Sequence, residues 1–149
     1  MMDRPRILLA EDDDELRWSL TDVLDRAGFD VFAVANGFDF LDVVSARIDE
    51  GIGPTVQAIV TDIRMPGFNT FNILAGLHEL GCGPPVIVMS AFGDEDMRAR
   101  ARSIGAVAFL DKPFDIRALE RCLRAAVGRP PTCLVSDKRA SHAKMALDE

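Results

Sequence analysis

The sequence predicts an α/β fold, with a five-stranded parallel sheet and five helices that cover both of its faces. Five short, nearly continuous apolar runs alternate with five segments of helical periodicity, and Gly or Pro residues separate many of them. Strands that are apolar throughout are buried on both sides, which is typical of parallel sheets in α/β proteins. Because crossovers between parallel strands are right-handed, few topologies remain, and the order 2-1-3-4-5 is a common five-stranded one.

The first half of the chain holds three strands and two helices. The apolar run at 7–10 predicts a buried strand, which ends at the acidic cluster 11–15. The helix that follows is apolar on one face and ends at Gly28. The other elements of this half are a strand at 29–35, a turn at Asn36-Gly37, a helix at 38–48, a Gly/Pro loop at 51–54 and a strand at 56–61.

The second half holds three helices and two strands, at 69–80, 85–89, 93–104, 106–110 and 115–127. The last helix is apolar at every third or fourth position, which indicates one face turned to a core, at Ile116, Leu119, Leu123 and Val127. After it, the Gly-Arg-Pro-Pro segment at 128–131 interrupts helical periodicity. We therefore expect one domain over residues 1–128 and a poorly ordered tail or linker over 129–149.

The distribution of charge argues against nucleic-acid binding by this domain. Residues 1–128 carry a net charge of −8 and residues 129–149 a net charge of +1. Proteins that bind nucleic acid neutralise phosphates with clustered Lys and Arg, which an acidic surface does not offer. Three arginines at 98, 100 and 102 follow three acids at 94–96, an order that a helix dipole favours. We interpret this segment as a solvated helix.

Composition also bears on where the protein works. No apolar run is long enough to cross a bilayer, and the first residues are too polar for a signal peptide. The three cysteines, at 82, 122 and 133, form no C-x-x-C pair, which suits reduced thiols. We expect a cytoplasmic protein that makes no contact with a membrane.

Polar residues follow the apolar runs where the chain reaches the carboxyl edge of the sheet. The first strand leads into Glu11 and Asp12, the third into Asp62, the fourth into Ser90, and the fifth into Lys112. In the order 2-1-3-4-5 these four strands are neighbours, spaced about 4.8 Å apart, so the side chains converge. Three carboxylates without cations would repel one another. Mg²⁺, which prefers hard oxygen ligands, and the ammonium of Lys112 would compensate them.

Such a set of groups suits phosphoryl transfer. A carboxylate can act as the nucleophile, while a metal ion and a Lys neutralise charge on the transferred oxygens and a hydroxyl donates to one of them. Asp62 lies between the acids of the first strand and the Ser90/Lys112 pair. We therefore predict that Asp62 is the nucleophile.

Four motifs resemble those of response regulator receiver domains of bacterial two-component systems, over about residues 5–127. Each motif is weak alone, but all four occur in the right order at strand ends. They are Ile7-Leu8-Leu9-Ala10-Glu11-Asp12-Asp13, Thr61-Asp62-Ile63-Arg64-Met65-Pro66-Gly67, Met89-Ser90-Ala91 and Asp111-Lys112-Pro113-Phe114. This family has the flavodoxin-like fold with the strand order predicted above.

The resemblance implies a function and a role for each residue of the site. It implies a signalling switch, catalysing only its own phosphorylation and dephosphorylation, in which Asp62 is phosphorylated from a phosphohistidine of a histidine kinase or phosphotransfer protein. Its further partner would be a downstream output protein or domain. Mg²⁺ would be bound by Asp12, Asp62 and the main-chain carbonyl of Arg64, with indirect help from Glu11. Ser90 and Lys112 would contact the phosphoryl group, and Ser90 and Phe109 would form the switch.

The resemblance also predicts a cis peptide bond between Lys112 and Pro113, since cis is accessible chiefly to X-Pro bonds. The sequence departs from the family pattern after Gly67, where an acidic residue and a glycine usually follow. Ser90 replaces the commoner Thr, and Phe109 replaces Tyr. Because Phe lacks the hydroxyl, packing alone would hold an inward orientation of its ring.

Purely structural interpretations exist for single residues. Asp12 with Glu15 could form a capping box at the start of a helix. Asp62 could belong to a turn, Ser90 could cap the next helix, and Phe109 could be ordinary core. All of these would have to fall by chance on adjacent strand ends, which disfavours them jointly.

Other functions compete with the phosphorylated switch. A degenerate receiver that binds partners without using Asp62 normally lacks one of the site residues, whereas all are present here. A Mg²⁺-dependent phosphatase of the haloacid dehalogenase type needs D-x-D after the first strand, which the acids at 12–14 could supply, but the long cap insertion is missing. A flavin-binding protein needs a phosphate-binding loop after the first strand, and none is present.

Overall fold

A computed structural model describes residues 4–50, 56–65, 67, 69–80, 83–91 and 95–127, without the side chains of 46–50, Leu80 and Ala91. Strands and helices alternate along the chain. The order is β1 (Arg6–Ala10), α1 (Asp14–Arg26), β2 (Asp30–Val34), α2 (Gly37–Glu50), β3 (Ala58–Asp62), α3 (Thr70–Leu80), β4 (Val86–Ala91), α4 (Glu95–Ser103), β5 (Ala108–Lys112) and α5 (Ile116–Val127).

The strands form a single parallel sheet in the order β2-β1-β3-β4-β5. The predicted α/β architecture, strand order and element sequence are therefore confirmed. In the ladder, Ala10 pairs with Val34 and Thr61, and Ser90 pairs with Asp111. Because all strands run in the same direction, their last residues lie at one edge.

Two hydrophobic clusters lie on opposite faces of the sheet, because neighbouring residues of a strand point to opposite sides. One cluster joins strand residues such as Leu8 and Val88 to residues of α2, α3 and α4. The other joins strand residues such as Leu9 and Val60 to residues of α1 and α5. The helices thus cover both faces, as the continuous apolar strands predict.

The last two strands extend further than the apolar runs predict. β4 continues to Ala91 and β5 to Lys112, whereas the predicted strands end at residues 89 and 110. Pairing of Ser90 with Asp111 and of Ala91 with Lys112 continues the ladder through polar residues. Backbone hydrogen bonds maintain this pairing irrespective of side-chain polarity. Ser90 and Lys112 are therefore strand residues, which fixes their positions more firmly than a loop would.

Some expectations concern residues beyond this description. The predicted tail at 129–149 and the loop at 51–54 lie outside the described residues. Among the helices that are described, none is long and apolar enough to cross a membrane.

The inner face of α5 provides a test of the core. We expect Leu123→Ala to lower the free energy of unfolding by about 2–5 kcal/mol, because Leu123 is fully buried and truncation leaves a cavity. Arg121→Ala, an exposed change on the same helix, serves as the control and should alter it by less than about 0.5 kcal/mol. Chemical denaturation measures both. Equal losses in the two variants would contradict this assignment of the inner face.

Candidate functional site

Three carboxylates meet at the carboxyl edge of the sheet. Glu11 follows β1 and is fully buried, Asp62 ends β3 and is 7% exposed, and Asp12 is exposed. One oxygen of each lies within 4.8 Å of the others. The predicted convergence of the first and third strand ends is therefore observed.

Lys112, the last residue of β5, bridges two of these carboxylates. Its Nζ donates to Asp62 Oδ2 at 2.7 Å and to Glu11 Oε1 at 2.8 Å. The peptide bond between Lys112 and Pro113 is cis, which confirms that prediction. The ammonium thus connects three strands at the edge of the sheet.

Backbone N–H groups hold the remaining oxygens of the buried acids. Asp62 Oδ1 accepts from the amide of Arg64 at 2.9 Å, and Glu11 Oε2 accepts from the amide of Asp13 at 3.0 Å. Asp62 therefore makes the contact of a turn residue as well as an ion pair, so the two interpretations of this residue coexist. With a partner on each oxygen, both carboxylates have a fixed orientation.

The pKa values of Glu11 and Lys112 are both raised, for different reasons. Burial raises the pKa of the Glu11 carboxyl, although hydrogen bonds from Lys112 and the Asp13 amide act against the shift. Burial alone would lower the pKa of Lys112, but hydrogen bonds to Asp62 and Glu11 outweigh it and raise this pKa. Lys112 is therefore charged near neutral pH, and Glu11 holds its proton to a higher pH than an ordinary Glu.

The helix start after β1 is capped by Asp13, and the capping interpretation of Asp12 is wrong. Asp13 accepts a hydrogen bond from the amide of Leu16 at 3.2 Å and is the N-cap of α1. Asp14 pairs with Arg17 one turn further on. Asp12 is one residue too early to cap α1, and its exposed carboxylate lies beside the buried acids instead.

The donor set fits a hard divalent cation. The oxygens of Glu11, Asp12 and Asp62 face one ammonium, that of Lys112, so the ionised cluster retains excess negative charge. Mg²⁺ takes oxygen ligands at about 2.0–2.1 Å and keeps several waters, so two ligands of one ion lie up to about 4.2 Å apart. The three oxygens all lie within 4.8 Å of one another, close to this separation. The exposed Asp12 leaves one side accessible to solvent for the waters.

Arg64 lies beside the cluster, two residues after Asp62. Its amide faces the Asp62 carboxylate, and the residue as a whole is exposed. The predicted role of its main-chain carbonyl as a metal ligand stays a prediction.

Ser90 is 1% exposed within β4, and its Oγ has no hydrogen-bond partner in the described part of the chain. It does not cap the next helix, since α4 begins at Glu95. A buried hydroxyl without a partner is uncommon, and its donor is available to a ligand.

Phe109 is only half-buried, on the sheet face that α2, α3 and α4 cover. The guanidinium of Arg98 lies 4.6 Å from the centroid of its ring. Phe109 therefore packs against the core at the edge of the sheet without being fully enclosed.

The interpretation of α4 as simply solvated is wrong for Arg98. Its side chain is 30% exposed and forms an ion pair with Asp111 in addition to its contact with Phe109. On the same helix, Arg100 lies 4.6 Å from the ring centroid of Phe71 in α3. The only sequence signal for the Arg98 contacts is Asp111, the acid immediately before Lys112. This acid has no pairing partner nearby in the sequence.

The chain matches the family model for the response regulator receiver domain over residues 7–124. The transcriptional regulatory protein FixJ of Azorhizobium caulinodans is 38% identical over 119 residues, 80% of this chain and 53% of FixJ. The sporulation initiation phosphotransferase F of Bacillus subtilis is 30% identical over 111 residues, 74% of this chain and 84% of that protein.

A solved structure of a response regulator receiver protein from Burkholderia phymatum has a TM-score of 0.70 and 28% identity, covering 85% of this chain and 98% of that one. The chain spans about half the length of FixJ. It spans a smaller share of other transcriptional regulators that it matches, such as 25% of the dicarboxylate transport regulator DctD of Pseudomonas aeruginosa. The matched family, the strand order and the acidic edge with its bridging Lys112 agree with one another. The chain therefore belongs to the response regulator receiver domains of two-component signalling systems.

Proposed function

We propose that Asp62 accepts a phosphoryl group from the phosphohistidine of a sensor histidine kinase or phosphotransfer protein, in a Mg²⁺-dependent reaction. One observation supports this most: Asp62 contacts the ammonium of Lys112 and lies within 4.8 Å of the acids that follow β1, with a partner on each of its oxygens. Phosphorylated Asp62 would change the contacts of the domain with a downstream output protein or domain. This role agrees with a cytoplasmic location and needs no contact with nucleic acid by this domain.

In the proposed step an oxygen of Asp62 attacks phosphorus. A P–O bond to Asp62 forms as the P–N bond of phosphohistidine breaks, and the imidazole nitrogen leaves with the electron pair. Lys112 Nζ, which now donates to Asp62 Oδ2, would donate to an oxygen of the arriving phosphoryl group. The unpartnered hydroxyl of Ser90 would donate to another. Fixed donors directed at developing charge stabilise such a transition state.

Asp12 and Asp62, with the carbonyl of Arg64 and indirect help from Glu11, would hold the metal. When bound, Mg²⁺ neutralises charge on the phosphoryl oxygens and so reduces their repulsion of the carboxylate nucleophile. The exposed position of Asp12 supports this assignment, because Mg²⁺ retains waters that need access to solvent.

The phosphatase alternative finds less support. In a D-x-D motif made of Asp12 and Asp14, Asp14 would be the general acid. That carboxylate forms an ion pair with Arg17 on the exposed side of α1. Asp14 is therefore not part of the carboxylate cluster that Asp12 forms with Glu11 and Asp62, as a general acid acting on the same site would have to be.

Phosphorylation of Asp62 is tested with acetyl phosphate and Mg²⁺ by intact-protein mass spectrometry. We expect one added phosphoryl group in the native protein and none in Asp62→Asn, because an amide is not a nucleophile here. Asp22→Asn, a change of the same chemistry at an exposed ion pair of α1, should be labelled like the native protein. Undiminished labelling of Asp62→Asn would show that another residue is the acceptor.

Mg²⁺ binding should depend on Asp12. Since a ligand that binds only the folded state stabilises it, free Mg²⁺ at about 100 times Kd should raise the free energy of unfolding by about 2.7 kcal/mol. We expect this gain to disappear in Asp12→Ala and to persist in Asp14→Ala, which removes an adjacent acid outside the cluster. Denaturation with and without Mg²⁺ measures it. An unchanged gain in Asp12→Ala would refute the metal assignment.

The raised pKa of Glu11 predicts how metal affinity changes with pH. As pH falls, Glu11 takes up a proton before an ordinary Glu does, and the cluster loses one negative charge. Mg²⁺ affinity should therefore fall with acidification already above pH 4.5, the ordinary value for Glu. In Glu11→Gln affinity should be lower throughout but flatter over the same range. Calorimetric titration of both proteins decides this, and parallel pH profiles would contradict it.

A further inference from the structure

We propose that Arg98 is a positioning residue that holds Phe109 in place and thereby restrains the switch that follows phosphorylation. Arg98 contacts Phe109, Asp111 and Glu95, and these four residues form the Arg98 cluster. The effect on switching rests on the proposed function of Asp62. The effect on the position of the Phe109 ring does not.

The Arg98 cluster joins α4 to β5 by two different interactions of one guanidinium. Its carbon lies 4.6 Å from the centroid of the Phe109 ring, and Nη2 donates to Asp111 Oδ2. Nε also lies 3.5 Å from Glu95 Oε2 on the same helix. A planar guanidinium can stack on a ring and donate in its own plane at once, which a Lys ammonium cannot do. Arg98 therefore fixes the ring and the neighbouring carboxylate together.

The register of the sheet places this cluster beside Ser90. Phe109 and Asp111 are two residues apart in β5 and so lie on the same face. Their partners in β4 are Val88 and Ser90, respectively. Ser90 is thus directly adjacent to Asp111 and diagonal to Phe109, within reach of a large side chain.

Two buried polar atoms beside the Phe109 ring are available for new hydrogen bonds. Neither Ser90 Oγ nor Asp111 Oδ1 has a hydrogen-bond partner within the described ranges. No hydrogen bond of its hydroxyl therefore holds the Ser90 side chain away from the acceptor site. By contrast, Phe109 is held from the solvent side by Arg98, and its half-buried ring would gain apolar burial by moving inward.

The resemblance to receiver domains implies that Ser90 and Phe109 form the switch, and the contacts of Arg98 oppose the movement of the Phe109 ring. When the hydroxyl of Ser90 turns toward a phosphoryl group on Asp62, space opens on the sheet face beside it. Filling that space takes the Phe109 ring inward, away from the guanidinium of Arg98 that now lies over it. Breaking the contacts of the Arg98 cluster costs free energy. The cluster therefore opposes this movement and favours the unphosphorylated arrangement.

The helix α4 offers a matched control for this idea. Arg100 stacks on Phe71 of α3 at the same distance of 4.6 Å, but it has no described contact with β5. Removing Arg100 weakens attachment of α4 without touching the Phe109 ring. Any effect shared by both arginines would come from the helix and not from the ring.

The position of the ring is tested without phosphate or metal. In NMR spectra of the full chain with labelled Phe, we expect Arg98→Ala to bring the Phe109 ring closer to Ser90, seen as stronger contacts between their protons. Arg98→Lys should lie between this variant and the native protein, because it retains the cation but not the planar fork. Arg100→Ala should match the native protein. An unchanged Phe109 ring in folded Arg98→Ala overturns the inference.

The effect on switching is tested by the rate at which acetyl phosphate labels Asp62 in the presence of Mg²⁺. Losing one partly exposed cation–π contact and ion pair should speed labelling of Arg98→Ala roughly threefold to tenfold. Equal rates in Arg98→Ala and the native protein, or an equal gain in Arg100→Ala, overturn the inference while leaving Asp62 as the acceptor. Absence of labelling in every variant would refute the proposed function, and the ring measurement would still decide whether Arg98 positions Phe109.

Discussion

The bridge from Lys112 to Asp62 and Glu11 is the interaction on which this site depends. The carboxylates of Glu11 and Asp62 are almost fully buried at the edge of the sheet. Among the described residues, Lys112 supplies the cation within hydrogen-bond distance of both. Removing Lys112 would be costly, because the charges of the buried carboxylates would be left without compensation. The same bridge ties the ends of β1, β3 and β5 together, so the arrangement of charge and the arrangement of strands support each other.

The bridge leaves the acidic cluster only partly neutralised, and the remaining negative charge is what would attract a cation to the site. Backbone amides satisfy the outer oxygens of Glu11 and Asp62, while Asp12 remains exposed. A fully compensated cluster would be a structural ion pair with nothing further to bind. Here the surplus charge and the access to solvent are both on the side of Asp12, where a hydrated divalent cation can approach.

The helices differ in how they attach to the sheet, and α4 is the exception. Buried apolar residues of α1 and α5 fill one face, and those of α2 and α3 fill much of the other. Ala101 is the buried residue of α4 itself, and its long side chains are mostly charged. Arg98 and Arg100 take part in its attachment by lying over aromatic rings of β5 and α3. Such contacts contribute less than apolar burial, so α4, with one buried apolar residue, is attached to the sheet by weaker interactions than α1 or α5.

The sequence by itself determined the architecture and most of the site. Apolar runs gave the strands, handedness limited their order, and polar residues at strand ends gave the cluster of Glu11, Asp12, Asp62 and Lys112. These are strong inferences because the carboxyl ends of parallel strands always lie at one edge, whatever the detail of packing.

Only the tertiary structure decided which neighbours each polar group takes. Any of the three consecutive aspartates at 12–14 could cap α1, and the backbone path after β1 selects Asp13 and leaves Asp12 for the cluster. Ladder pairing carries β4 and β5 through Ser90 and Lys112, although apolar periodicity ends earlier. The sequence alone predicts a solvated Arg98, because its partners Phe109 and Asp111 lie on β5, a separate element after α4. Periodicity reports the burial of a face, whereas a contact between charged or aromatic groups depends on the distance and orientation of two elements, which local sequence does not specify.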